Sequence, residues 1–169
     1  MKIAILGYSG SGKSTLAKFL GDKKQIPVLH LDTVQFVEDW QERNKEEALS
    51  LVAKHLAGNN WIIDGNYTNF YQQERLEAAD QIIFLQFSRW ASLKRVIARR
   101  IKYHNKSRPD MAQGCHEKID FDFFWWVVYQ GRSKEKRAHF EDLKRRYAEK
   151  SLTIKNQKEL DAFYQKHQS

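Results

Sequence analysis

A glycine-rich segment near the amino terminus constrains the fold of this chain more than any other feature. Residues 7–14 read GYSGSGKS, which fits the pattern G-x-x-x-x-G-K-[ST], and they follow the apolar run of residues 2–6 without a gap. When a strand leads into such a loop and a helix begins at the lysine, backbone N–H groups and the helix N-terminus point at bound phosphate. The segment therefore predicts a phosphate-binding loop between a buried strand and a helix. The alternative is an ordinary glycine-rich turn.

Each residue type in this loop has an expected role. Gly10 and Gly12 permit backbone conformations that a Cβ disfavours. Lys13 would reach the β- and γ-phosphates as a catalytic residue, and the Ser14 hydroxyl would complete a Mg²⁺ shell. The predicted cofactors are therefore ATP and Mg²⁺. The residues expected to bind the nucleotide are Gly7, Ser9, Gly10, Ser11, Gly12, Lys13, Ser14 and Thr15.

Chain length and cysteine usage limit the possible classes of protein. A chain of 169 residues suits one domain, here residues 1–169. The single cysteine, Cys115, excludes an internal disulfide, and the sequence runs directly into a strand without a charged-then-apolar leader. We therefore expect a cytoplasmic protein. No apolar stretch approaches the ~20 residues that cross a bilayer, so no membrane partner is expected, whereas the oligomeric state stays open.

The positive charge of the chain is concentrated in one block. Residues 89–150 contain 17 Lys and Arg against 8 Asp and Glu, an excess of +9, whereas the remainder contains 12 against 13. A basic block is typical of proteins that bind nucleic acid, an anionic membrane surface or a polyanionic small molecule such as ATP.

Apolar periodicity predicts strands that alternate with helices along the whole chain. This order favours an α/β fold of three layers, with a five-stranded parallel sheet and helices on both faces. Ligands of such sheets bind at the carboxyl ends of the strands. Strands are predicted at residues 2–6, 26–31, 61–63, 81–85 and 151–154, and helices at 13–20, 43–57, 71–79, 88–103, 120–129, 134–149 and 157–167. Residues 104–118 are predicted to be a mobile loop.

Two acidic residues end predicted strands at this ligand-binding edge. Asp64 ends the third strand, where a carboxylate would assist Ser14 in holding Mg²⁺, and its alternative is an Asp-Gly turn. Asp32 ends the second predicted strand. It would act as a catalytic base or orienter for a substrate hydroxyl, or contact Mg²⁺. The alternative interpretation is that Asp32 only caps the N-terminus of a helix. We expect the acceptor substrate near Asp32, Asp64 and Tyr67.

Several arginines are candidates for phosphate contacts. Arg95 and Arg99 are four residues apart, so they share one helix face and could clamp phosphate oxygens; a solvated basic face is the alternative. Arg108, Arg132 and Arg137 flank or follow the predicted mobile loop and could close over phosphates, although each alone would be an ordinary surface charge. The aromatic residues between 121 and 126 are expected to pack in the core. Zinc binding by His104, Cys115 and His116 is not expected, since their spacing is unconventional.

These residues resemble a known group of proteins. The loop of residues 7–14, the run Ile63-Asp64-Gly65 and the basic helix before a loop resemble the adenylate-kinase-like branch of P-loop kinases. More closely, residues 7–14, 30–33, 61–67 and 107–115 resemble the bacterial "DNA topology modulation protein" group, related to FlaR.

The resemblance implies specific roles for several positions. It implies a kinase core with a lid at residues 104–118, Arg95 covering the adenine and Arg99 contacting the transferred phosphate. Arg132 and Arg137 loosely match arginines that follow the lid. Adenylate kinases continue after Asp-Gly with Phe-Pro-Arg, whereas this chain continues with Asn66-Tyr67-Thr68. Specificity for a nucleoside monophosphate is therefore not implied.

Three functional hypotheses follow from the sequence. The first is a small ATP-dependent kinase, with a nucleotide and a small-molecule acceptor as partners. Nucleosides and nucleotides are candidate acceptors, and residues 33–58 are the candidate acceptor-binding segment. The second is an ATP-dependent nucleic-acid-binding or DNA topology regulatory protein. The third is an ATPase that needs no second substrate.

Overall fold

A computed structural model describes residues 1–102, 125 and 127–168 of the chain. Its five strands are β1 (Lys2–Gly7), β2 (Val28–His30), β3 (Trp61–Asp64), β4 (Gln81–Leu85) and β5 (Ser151–Ile154). Its α-helices in the described residues are α1 (Lys13–Lys24), α2 (Leu31–Gln35), α3 (Lys45–Leu56), α4 (Gln72–Ala78), α5 (Arg89–Lys102), α6 (Lys134–Arg146) and α7 (Gln157–Gln168).

The strands form one parallel sheet in the order β2-β3-β1-β4-β5. The glycine-rich strand β1 is therefore central, with Ile5 opposite Asp64 of β3 on one side and Ile83 of β4 on the other. The chain leaves β1 toward one edge of the sheet and leaves β4 toward the other. This reversal opens a crevice at the carboxyl ends of the strands, directly at the glycine-rich loop.

Alternate residues of β1 belong to two separate hydrophobic cores, because successive side chains of a strand point to opposite faces. Ile3 and Ile5 pack with residues of α1 and α7, whereas Ala4 and Leu6 pack with residues of α2, α3, α4 and α6. Helices thus cover both faces of the sheet. The predicted three-layer α/β fold with a five-stranded parallel sheet is confirmed.

Two differences from the expected element boundaries affect the packing and the site. Helix α1 continues through Gly21 to Lys24 and is closed by Gln25 in the left-handed conformation. Gly21 allows close packing rather than ending the helix, since a Cβ there would lie 2.3 Å from Val28 Cγ2. Strand β2 ends at His30, so Asp32 lies in the first turn of α2 and not at a strand end.

Part of the region between α5 and α6 lies outside the described residues. The predicted lid of residues 104–118 is in that part, as is most of the helix predicted at 120–129. Trp125, which was expected in the core, is exposed and stacks on Tyr129 with their ring centroids 4.3 Å apart. Within the described ranges, no helix has both the length and the apolar character needed to span a bilayer.

Candidate active site

The loop between β1 and α1 has the backbone shape that its glycines predict. Gly10 and Gly12 have φ values of 73° and 94°. These values lie in the left-handed region, which residues with a Cβ rarely adopt. A Cβ on Gly10 would lie 2.6 Å from Val96 Cγ2 and 2.8 Å from the Ser92 carbonyl oxygen. Gly12 is the N-cap of α1, so the first N–H groups of this helix are available to an anion.

Lys13 folds back across the loop. Its Nζ donates to the carbonyl oxygens of Gly7 and Tyr8, at 3.0 and 3.1 Å. Gly7 is also held by Asn66, whose Oδ1 accepts from the Gly7 N–H at 3.0 Å and whose Nδ2 donates to the Gly7 carbonyl at 2.7 Å. Asn66 stands where adenylate kinases have the first residue of Phe-Pro-Arg, and its contact with the loop was not predicted.

Ser14 and Asp64, both predicted to hold magnesium, lie in contact. The Ser14 hydroxyl donates to Asp64 Oδ2 at 3.0 Å. The other carboxylate oxygen, Oδ1, lies 2.6 Å from Nδ1 of His30, and Asp64 is only 4% exposed. His30 was not among the predicted site residues, although it lies two positions before Asp32.

A hydroxyl and a carboxylate oxygen fit a magnesium ion that is bound together with phosphates. Mg²⁺ is usually held by one or two carboxylates, substrate phosphates and water. In the part of the chain that the structure describes, no group of three or more His, Cys, Asp or Glu side chains could hold a metal alone. The donor set of Ser14 and Asp64 therefore suits a metal that arrives with a nucleotide.

Asp32 and Tyr67 form a second polar pair at the same edge of the sheet. The Tyr67 hydroxyl donates to Asp32 Oδ1 at 2.8 Å. Burial and the neighbouring Asp32 carboxylate raise the pKa of Tyr67 well above its usual range. The phenol therefore stays protonated and continues to hold the carboxylate. Both residues were predicted to bind the substrate, and the structure brings them together.

The loop after β3 is held by a buried arginine that sequence reasoning missed. Arg75 is fully buried, and its guanidinium donates to the carbonyl oxygens of Phe70 at 2.8 Å, Tyr67 at 2.6 Å and Gly65 at 3.4 Å. Burial lowers the pKa of Arg75 to about 10, so it remains charged at neutral pH. A charged residue in a short helix is expected at the surface, so the sequence carries no signal for this role.

Arg95 lies against the glycine-rich loop. Its guanidinium donates to the Ser11 carbonyl at 2.7 Å and to Gln157, and it lies 4.2 Å from the centre of the Phe87 ring. Arg95 is half-buried, and burial lowers the pKa of its guanidinium. The alternative that Arg95 belongs to a fully solvated basic helix face therefore does not hold. Arg99 lies one turn further along α5 and is half-buried. The predicted contacts of both arginines with a nucleotide stay predictions.

Arg132 connects the segment before α6 to α5 and to the loop. It donates to the Phe87 carbonyl and the Ser92 hydroxyl, both at 2.7 Å, and lies 4.0 Å above the Tyr8 ring. Its catalytic role stays a prediction. Arg137 is exposed on α6, and Arg108 lies outside the described residues.

Comparisons with known proteins identify the fold. No protein-family model matches the chain, and no curated protein matches its sequence significantly. Among solved structures, shikimate kinase from Bacteroides thetaiotaomicron is similar, with a TM-score of 0.56 and 21% identity over 99% of this chain and 96% of that chain. The chain has the P-loop NTPase fold.

A second similar structure is shikimate kinase from Aquifex aeolicus, with a TM-score of 0.44 and 16% identity over 92% of this chain and 85% of that chain. At 21% identity, the likeness to the Bacteroides enzyme concerns the fold, and it does not identify the acceptor. Membership in the DNA topology modulation group stays a prediction.

Proposed function

We propose that this protein is an ATP-dependent phosphotransferase that moves the γ-phosphoryl group of Mg-ATP to a hydroxyl of a small acceptor. One observation carries this proposal: the Ser14–Asp64 contact and the Asp32–Tyr67 pair lie at the same sheet edge. The first pair suits the donor nucleotide and the second suits an acceptor hydroxyl. A site that only bound a nucleotide would need no second pair.

On the donor side, the backbone N–H groups of the loop and Lys13 would hold the phosphates. Ser14 and Asp64 would hold magnesium, which neutralises phosphate charge when bound. Arg95 and Arg99, both on α5, would cover the nucleotide and its transferred phosphate. Because a transferring phosphoryl group spreads charge over its oxygens, these positive groups would stabilise the transition state.

On the acceptor side, Asp32 would orient the attacking hydroxyl and accept its proton. The acceptor oxygen forms a bond to the γ-phosphorus while the bond to the β–γ bridging oxygen breaks, leaving ADP. Tyr67 holds Asp32 Oδ1, so the carboxylate is pre-oriented before the acceptor binds.

Among residues 1–88, the charges favour an acceptor without a phosphate group. Arg43 and Arg75 are the two arginines among residues 1–88, and both are engaged. Arg43 donates to the carbonyls of Val34 and Thr33 and to Glu47, at 3.0, 3.3 and 2.5 Å, whereas Arg75 donates to backbone carbonyls. Residues 33–58 also carry five Asp and Glu against three Lys and Arg. A nucleoside or a neutral polyol therefore suits this side better than a nucleotide.

A phosphotransfer screen tests the proposal. ADP release from Mg-ATP is measured with nucleosides, their matching monophosphates, small polyols and shikimate, the last because a similar structure is a shikimate kinase. We expect acceptor-dependent release that falls about 100-fold or more in Lys13→Ala, since a phosphate-stabilising donor is lost. Full transfer and full ATP binding by folded Lys13→Ala would contradict the proposal.

Two substitutions test the acceptor side separately. Asp32→Asn should lower acceptor-dependent turnover by about 100-fold or more, because it removes the base, and should leave Mg-ADP affinity unchanged. Tyr67→Phe keeps the carboxylate and removes only its hydrogen bond, so a smaller decrease is expected. Equal turnover in wild type and Asp32→Asn would exclude Asp32 as the base.

A nucleic-acid-binding regulatory function is the second candidate, favoured by the excess of positive charge in residues 89–150. On α6, Arg145 and Arg146 share one carboxylate, that of Asp142, at 3.3 and 3.1 Å, so positive charge remains in excess there. Phosphate-driven binding of duplex DNA should weaken steeply with salt. Lack of DNA retention at low ionic strength would remove this candidate.

An ATPase without an acceptor would instead hydrolyse ATP at the same rate whether or not an acceptor is present.

A further inference from the structure

We infer that His30 is a positioning residue that directs the Asp64 carboxylate toward Ser14 and thereby sets how strongly magnesium assists nucleotide binding. The inference rests on the proposed function, because it requires the site to bind a nucleotide with magnesium. It concerns an interaction that the sequence does not reveal, since His30 and Asp64 are 34 positions apart.

Strand register brings the two side chains together. His30 is the last residue of β2, and Asp64 is its direct partner in the parallel pairing with β3. Directly paired residues of adjacent strands project to the same face of a sheet. Nδ1 of His30 therefore lies 2.6 Å from Asp64 Oδ1, whereas Asp64 Oδ2 accepts from the Ser14 hydroxyl at 3.0 Å. Each carboxylate oxygen thus has its own contact.

Two contacts orient the Asp64 carboxylate better than one. The terminal torsion of an aspartate is broad, so a single hydrogen bond leaves the carboxylate plane loosely defined. The side chain is 4% exposed, and a buried charge without compensating hydrogen bonds is costly. An Nδ1–H of His30 satisfies one oxygen and leaves the other directed at Ser14. Residues that orient a metal-binding carboxylate in this way commonly affect metal affinity.

His30 also connects the donor side to the acceptor side. It is the N-cap residue of α2, the helix that carries Asp32, and its carbonyl accepts from Thr33 Oγ1 at 2.7 Å. The residue that contacts Asp64 through its side chain therefore supports the first turn of α2 through its backbone. A substitution of the side chain changes the first contact and leaves the second intact.

Calorimetric titration of ADP with and without Mg²⁺ tests the inference without requiring turnover. The quantity measured is the factor by which Mg²⁺ raises ADP affinity in wild type, His30→Leu and His30→Asn. We expect this factor to fall about 10-fold in His30→Leu. It should be largely retained in His30→Asn, because the Asn amide nitrogen can replace Nδ1 as a donor. ADP affinity without Mg²⁺ should be equal in all three proteins.

The outcomes separate this inference from the proposed function. An unchanged magnesium factor in His30→Leu, or an equal loss of ADP affinity with and without Mg²⁺, would overturn the role of His30 alone. If Mg²⁺ did not raise the ADP affinity of the wild-type protein at all, both the role of His30 and the proposed function would be overturned. Circular dichroism verifies folding. If His30→Leu does not fold, the comparison moves to His30→Gln, whose amide lies one methylene further out and should not rescue as His30→Asn does.

Discussion

At the scale of single residues, several arginines among the described residues donate to backbone carbonyls around the site. Arg75 holds the loop after β3, Arg95 contacts the glycine-rich loop and Arg132 contacts the segment after β4. A planar guanidinium can donate in several directions at once, so one side chain organises several carbonyls that no strand or helix pairs. The shape of the loops around the site therefore depends on residues that need not touch a ligand.

Arg75→Leu should destabilise the protein strongly, because three buried or half-buried carbonyls would lose a charged donor. We expect the free energy of unfolding to fall by about 3 kcal/mol or more. Urea denaturation measures this change. Arg75→Lys is the matched control: it keeps the charge but lacks the fork geometry, so it should recover only part of the loss. A decrease below about 1 kcal/mol in Arg75→Leu would contradict the importance of these contacts.

Candidate positions, as distinct from their roles, were predictable where a local motif or the end of a strand points to them. Lys13 and Ser14 follow from their place in the loop pattern, and the pairing of Asp64 with Ser14 follows from the carboxyl ends of neighbouring strands. His30, Asn66 and Arg75 were missed. Their roles depend on atoms of residues elsewhere in the chain, and a histidine, an asparagine or an arginine at such positions is otherwise ordinary.

At the scale of elements, α1 illustrates why a glycine can lie inside a helix. Gly21 allows α1 to approach β2 so closely that an added Cβ would lie 2.3 Å from Val28 Cγ2 and 3.1 Å from the Ile26 carbonyl oxygen. Valine has a stiff side chain and cannot easily move aside. The sequence suggested a helix end at this glycine, but packing between elements accounts for it.

Gly21→Ala tests this packing. Alanine favours a helix by about 1 kcal/mol over glycine, whereas overpacking costs about 1–3 kcal/mol. We therefore expect a net loss of stability in the wild-type background. In the Val28→Ala background the closest overlap, with Val28 Cγ2, is removed and only the 3.1 Å approach to the Ile26 carbonyl oxygen remains, so the same substitution should be much less destabilising. Denaturation of the four proteins gives a double-mutant cycle, and additive effects would contradict the proposed contact.

The last turn of α3 contains a pH-sensitive group. Burial lowers the pKa of His55 below its ordinary value of 6.5, and its Nε2 has no hydrogen-bond partner within the described residues. Below about pH 6.5 the unfolded chain binds a proton that the folded protein excludes. Stability should therefore fall as pH decreases through this range, and be fully present above it.

Urea denaturation at about pH 7.5 and about pH 5.5 measures this effect. His55→Gln lacks the titrating group, so it should lose less stability than wild type over the same interval. Because other titrating groups are common to both proteins, the difference between them isolates His55. An identical loss in both proteins would exclude His55 as the source.

At the scale of the whole molecule, the sheet separates two cores and brings the donor and acceptor groups to one edge. The glycine-rich loop of residues 7–14 contacts the segment after β3 through Asn66 and α5 through Arg95. A ligand in this loop would thus be linked to several elements of the fold. Ligand binding to the folded state should stabilise the entire protein by mass action.

Mg-ADP at about 100 times its Kd should raise the free energy of unfolding by about 2.7 kcal/mol. For a chain of this size, the corresponding increase in Tm is roughly 5–10 °C. Lys13→Ala should lose most of this increase. Lys18→Ala is the matched control, since Lys18 is exposed on the same helix. Thermal denaturation provides the measurement, and equal shifts in both variants would contradict a nucleotide site at Lys13.

The sequence by itself determined the glycine-rich loop, the alternation of strands and helices and hence the parallel α/β sheet. These features follow from local backbone preferences and from apolar periodicity, which neighbouring residues set together. Only the tertiary structure decided the contacts of His30 with Asp64, Asn66 with Gly7 and Arg75 with its three carbonyls. Each of these contacts depends on strand register or on packing between distant segments. A hydrogen bond requires its two atoms to lie within about 3 Å of each other, and spacing along the chain does not specify that distance.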